Sequence, residues 1–103
     1  MMIVHQWKVM NFTIEVYYFK GEDEAKVFIL NPDGSLDSDN KKSSDKFKLV
    51  RALSKIWNAE VIPFLKEEGI ASVICSPTTE SRWKLYKRFS FVRSGKQKMK
   101  LKL

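Results

Sequence analysis

Apolar and polar positions alternate along the first thirty residues. Ile3, His5, Trp7 and Val9 share one phase, the period of a strand with one buried face. Phe12 to Phe19 is rich in β-branched and aromatic residues, with Phe12, Ile14, Val16 and Tyr18 in phase, and predicts a second strand. Met10-Asn11 between them is either a tight break between two strands or a bulge in one. Gly21-Glu22-Asp23-Glu24 reads as a loop and Ala25 to Leu30 as a third strand, which makes an antiparallel hairpin with the second. Asn31-Pro32-Asp33-Gly34 is a strong turn, because proline presets φ and glycine tolerates its positive values. A polar loop follows over 35–45.

The period then changes. Phe47, Val50, Leu53, Trp57, Val61 and Phe64 recur at three- and four-residue steps, which predicts a long helix with an apolar stripe facing a sheet. Ser43 or Ser44 can cap it, with Asp45 in the first turn. Pro63 removes a backbone donor inside the pattern and is expected to kink or divide the helix. Gly69, after Glu67-Glu68, is expected as its left-handed end. Ile70 to Cys75 is a short buried strand. The order strand, helix, strand from Ala25 to Cys75 predicts a parallel pair joined by a right-handed crossover. Ser76-Pro77 is expected to open a second, short helix, with Ser76 as cap and Pro77 in the first helical position. Leu85 joins Trp83, Tyr86 and Phe89 on its apolar side. Phe89 to Arg93 predicts a strand, Ser94-Gly95 a two-residue turn, and Lys96 to Leu103 a last strand with Lys96, Lys98, Lys100 and Lys102 on one face. The fold class is α+β: a mixed, mostly antiparallel sheet with one βαβ crossover, one long kinked helix and one short helix.

At 103 residues the chain is expected to form one domain with one core. No apolar run approaches the roughly 20 residues that span a bilayer, and Met-Met-Ile-Val-His-Gln-Trp does not read as a signal peptide. No membrane partner is expected. A single cysteine, Cys75, excludes an internal disulfide and a multi-cysteine zinc site and suits a reducing compartment, the cytoplasm. No metal site is expected. The formal net charge of +7 is unevenly spread. Residues 1–40 carry −4 and residues 41–103 carry +11, and after Glu80 nine basic residues occur with no carboxylate side chain. The C-terminal third therefore favours an anion nearby.

Leu85-Tyr86-Lys87-Arg88-Phe89-Ser90-Phe91 resembles the Leu-Tyr-x-x-x-Gly-Phe signature that closes the core of the GNAT superfamily of N-acetyltransferases. The predicted order of elements over residues 25–103 is similar to that family's, without its N-terminal helices. The nearest likeness is to the short, divergent GNAT-like proteins of phage genomes, which implies a host-cytoplasmic or virion setting. The resemblance implies two splayed strands that admit acetyl-CoA, and it implies that Tyr86 is the general acid toward the departing thiolate. It further implies a phosphate-binding start to the long helix. The family's glycine-rich loop is missing there, since no glycine lies between Gly34 and Gly69. Lys41, Lys42, Ser43 and Ser44 stand in its place, and Arg82 and Lys84 are the other candidates for the phosphates. Ser90 replaces the motif glycine. No carboxylate of Ala25 to Leu30 matches a general base, and Glu15 and Glu24 are candidates by neighbourhood only.

Three functional readings follow. The first is acyl-CoA-dependent transfer of an acetyl group to an amine, with Tyr86 as acid. The second is a non-catalytic GNAT-like module that binds a protein partner or itself. The third, nucleic-acid binding, rests on the basic C-terminal third and is not favoured. Trp7, Tyr17, Tyr18 and Phe19 could make a stacking platform for it, but core packing is their default role, as burial is for the Cys75 thiol. His5, the single histidine, is expected to be a packed or solvated strand residue.

Overall fold

The computed structural model describes residues 1–31 and 43–103. Six strands form one mixed sheet in the order β1-β2-β3-β4-β6-β5. β1 (Met2–Val9) and β2 (Phe12–Phe19) are an antiparallel hairpin in full register from Met2–Phe19 to Val9–Phe12. Met10-Asn11 is thus a tight turn, and Met10 takes φ +56° to make it. β3 (Glu24–Leu30) pairs antiparallel with β2, and β4 (Ser72–Cys75) pairs parallel with β3. That parallel pair is the expected crossover. β6 (Met99–Lys102) inserts between β4 and the two-residue β5 (Val92–Arg93). The expected turn at Asn31-Pro32-Asp33-Gly34 lies, but for Asn31, outside the described residues, as does most of the polar loop after it.

The long helix runs as α1 (Ser43–Ile56), a π-helical turn (Trp57–Val61) and α2 (Ile62–Glu67). Its buried stripe is Leu49, Leu53, Trp57, Val61 and Leu65, a spacing of four throughout. The expected stripe named Phe47, Val50 and Phe64 instead. Phe47 is exposed and the other two are only partly buried. At 3.6 residues per turn, each step of four drifts by roughly 40°. The wider π turn takes up the drift, so Val61 and Leu65 return beneath Trp57. Pro63 lies just beyond this turn, and the Ile62 N–H donates to the Trp57 carbonyl. The missing proline donor is accommodated by that change of pitch.

Both long connections back to the sheet end in the same hydrogen-bonded cap. After α2, Gly69 donates to the Lys66 carbonyl and Ile70 to the Leu65 carbonyl. After α3 (Glu80–Arg88), Ser90 donates to Lys87 and Phe91 to Tyr86. This is the Schellman arrangement, which requires a left-handed residue. Gly69 supplies it at φ +81° and Ser90 at φ +72°.

Two boundaries differ from expectation. α3 is capped by Thr79, whose hydroxyl accepts from the Arg82 N–H at 3.3 Å, and not by Ser76. Ser76-Pro77-Thr78 lies outside the helix and bridges β4 to α3. The last hairpin is also longer than two residues. Ser94 N–H donates to the Lys98 carbonyl at 2.8 Å, and the Arg93 guanidinium donates to the Gly95 and Lys96 carbonyls. Lys96 and Lys98 therefore lie in a loop, and only Lys100 and Lys102 hold the expected strand face.

The helices pack on one face of the sheet. The Leu49–Leu65 stripe, with Leu85 and Tyr86 of α3 and Phe89 at its end, shares one core with Ile14, Val16, Val27, Ile29 and Val73. The opposite face is largely open: Met2, Val4, Phe19, Phe28 and Leu30 are exposed.

A crevice between the parallel strands

The parallel ladder between β3 and β4 is short. Glu24–Ser72, Ala25–Val73 and Lys26–Ile74 are paired, and beyond them the two strands part. At the closed end, the Asp23 carbonyl accepts from the N–H groups of both Ala71 and Ser72. β3 continues to Leu30 with β2 as its partner, while the chain after Cys75 turns away through Pro77 toward α3. β3 is tied to β2 by hydrophobic pairs such as Ile14–Ile29, and β4 is tied to β6. Each strand follows its other neighbour, and a wedge opens between them.

The wedge is a crevice of about 270 Å³. Val27, Phe28 and Ile29 form one wall, Ser76 to Thr79 the other, and Arg82 and Tyr86 of α3 close it. Arg82 and Tyr86 are four residues apart, so one helix face presents both. The Thr79 cap fixes where that face begins.

Tyr86 is buried. Its phenol is raised far above the ordinary tyrosine range, first by burial and then by the neighbouring Cys75 sulfur. The Arg82 guanidinium and a hydrogen bond from the Ile29 backbone partly oppose this. Tyr86 therefore remains a proton donor at any physiological pH. Its ring meets Phe91 at 5.2 Å and Phe89 at 6.5 Å, edge to face in both cases. The ring is thus both a packing element and a wall of the crevice. The Cys75 thiol, at the end of β4, is buried and pushed up to about 12 by that burial. It is buried, as expected, and stays protonated at neutral pH.

The remaining sequence candidates are dispersed. Lys41 and Lys42 lie outside the described residues, and Ser43 and Ser44 form the first turn of α1. Lys84 is exposed, 3.6 Å from Glu80, and does not line the crevice. Glu15 is buried on the open sheet face, where the Gln6 amide donates to it. Glu24 lies 3.7 Å from Lys100. Neither borders the crevice, and no carboxylate or histidine does so among the described residues. His5 stacks on Phe64 at 4.4 Å and packs against Trp7. Ser76, Thr78 and Thr79 were missed as lining residues because the sequence places them inside a helix start.

Among the described residues, no group of three or more His, Cys, Asp or Glu side chains could hold a metal ion, and no helix is long and apolar enough to cross a membrane. No protein-family model, curated protein or solved structure matches the chain.

Proposed function

We propose that the protein is an acyl-CoA-dependent N-acyltransferase of the GNAT kind, with the β3–β4 crevice as its acyl site. One observation carries this reading: the parallel strands separate after Lys26–Ile74, and a buried, protonated tyrosine closes the gap they leave. The insertion of β6 between β4 and β5 also suits the family's terminal strand pair.

The crevice has room for the thioester end of acetyl-CoA and not for its nucleotide. Apart from the Ile29 group that meets the Tyr86 phenol, the side of β3 left by β4 from Val27 onward offers backbone groups to the acyl-bearing arm, as an added strand would use them. Arg82, with the hydroxyls of Thr78 and Thr79, stands where the arm would leave the crevice. The incoming amine forms a bond to the thioester carbonyl carbon, and the carbon–sulfur bond breaks. Tyr86 gives its proton to the departing sulfur, and the proton shed by the new amide nitrogen restores the phenol. Holding amine and thioester together supplies much of the acceleration.

Titration calorimetry with millimolar acetyl-CoA tests the reading. Heat of binding is expected, together with release of free CoA thiol when a lysine-containing peptide is added. Lack of heat overturns the proposal. Binding without thiol release would replace the reaction by the non-catalytic module.

A further inference from the structure

The open face of the sheet brings together two kinds of side chain that the sequence holds apart. Tyr17 and Phe19 of β2 and Phe28 of β3 project there. Phe19 and Phe28 are 52% and 47% exposed. Tyr17 and Phe28 meet edge to face at 5.4 Å, an arrangement that leaves ring surface free for a further stacked group. The same face carries Lys8, Lys26, Lys100 and Lys102, as their registers with Thr13, Tyr17, Ile74 and Ser72 require. Across the middle of the sheet one row reads Tyr17, Lys26, Ile74, Lys100, at about 5 Å per strand.

The carboxylates on this face are Glu15 and Glu24. Glu15 is buried and takes a hydrogen bond from Gln6, and Glu24 is paired with Lys100 at 3.7 Å. Among the described residues no carboxylate forms an ion pair with Lys8, Lys26 or Lys102. Glu22 and Asp23 lie in the β2–β3 turn beside Phe19, where the strand would place a base and no phosphate. Self-association through this face would oppose like charges. A duplex would hide its bases from the rings. From the interleaving of rings and ammonium groups, we infer that this face binds single-stranded nucleic acid, with bases on Phe28, Tyr17 and Phe19 and phosphates along Lys8, Lys26 and Lys102. Stacking on aromatic side chains combined with a cationic track is the physical basis of strand binding without sequence preference. This inference does not depend on the acyl-transfer reading.

Fluorescence anisotropy with a labelled single-stranded thymidine oligonucleotide tests it, with the uridine oligonucleotide and a duplex of equal length alongside. Binding to either single strand is expected to exceed duplex binding, and its logarithm should fall linearly with log salt, with a slope of about −2 to −3 for three or four phosphates. Phe28→Ala and Phe19→Ala should each weaken binding about tenfold with little change in the salt slope. Both side chains are half exposed, and unchanged thermal melting would confirm that the variants fold. Lys26→Gln should reduce the slope by about 0.7. Equal affinity for the duplex, indifference to both alanine variants, or a dimer that buries this face would overturn the inference.

Discussion

The Trp57 indole lies flat against the Phe89 ring, with centroids 5.4 Å apart and planes 10° from parallel. Trp57 opens the π turn of the long helix, and Phe89 caps the end of α3. One stacked pair therefore joins the two helices over the sheet. Both residues are buried, and Phe91 packs on the same indole at 5.6 Å. Phe89→Ala removes the stack and leaves a cavity between two helices, so it should destabilise the fold by about 3–5 kcal/mol. Chemical denaturation followed by tryptophan fluorescence measures this.

Ser90 holds a backbone conformation that costs a side-chain-bearing residue about 1 kcal/mol or more. Gly69 performs the same task in the matching cap without that cost. Ser90→Gly should raise stability by about 1 kcal/mol and the melting temperature by about 4–8 °C. It should leave the Ser90-to-Lys87 and Phe91-to-Tyr86 hydrogen bonds intact, and Ser90→Ala should gain nothing. Paired thermal melts decide between these.

Much of the architecture can be read from the chain because three local signals agree with the tertiary result. The two-residue alternation of Ile3–Val9, the helical spacing around Leu53 and Trp57, and the Glu67-Glu68-Gly69 stop each name an element that the sheet can use. The misses have local causes. Pro77 looks like a helix start, yet Thr79 provides the better cap once the chain must first cross from β4. Lys96–Lys102 alternates without a break, but the Arg93 guanidinium draws two carbonyls of that stretch into a loop. The crevice was legible only in part. Its tyrosine could be named from Leu85–Phe91, whereas the threonines beside it could not. Phe19 resembles core in sequence, and its exposure depends on which face the helices leave open.

If the proposed acyl transfer occurs, Tyr86→Phe should slow it by about a hundredfold or more while leaving acetyl-CoA affinity unchanged, because the variant lacks only the proposed proton donor. A comparison of turnover with calorimetric binding separates the two quantities. Since the folded-state phenol titrates far above the physiological range, loss of the tyrosine should not shift the pH at which the wild-type rate rises.

Alkaline stability is expected to follow the two buried acids beside the crevice. Cys75 is raised from 9.0 to about 12, and Tyr86 is raised above its ordinary 10.0. Folding keeps both protonated, so their stabilising contribution is complete below about pH 9. It declines as pH rises, because the unfolded chain then loses protons that the folded chain retains. Denaturation midpoints should be level up to about pH 9 and fall between 9 and 12. Cys75→Ala should flatten the early part of that fall. A midpoint that rises over this interval would contradict the assignment.

Arg93 bridges the last loop to α3, with its guanidinium 5.4 Å from the Trp83 ring and bonded to two carbonyls. Arg93→Lys keeps the charge but loses the paired geometry. It should speed hydrogen exchange at the Ser94 amide while leaving the β4–β6 amides protected.

Three rungs, the Asp23 carbonyl and the Glu24–Lys100 ion pair fasten one half of the sheet to the other at the β3–β4 seam. The β1–β3 leaf and the β4–β6–β5 leaf are otherwise stitched internally, so the seam acts as the spine of a half-opened book. A guest laid against the inner margin would bridge both pages beyond the last rung.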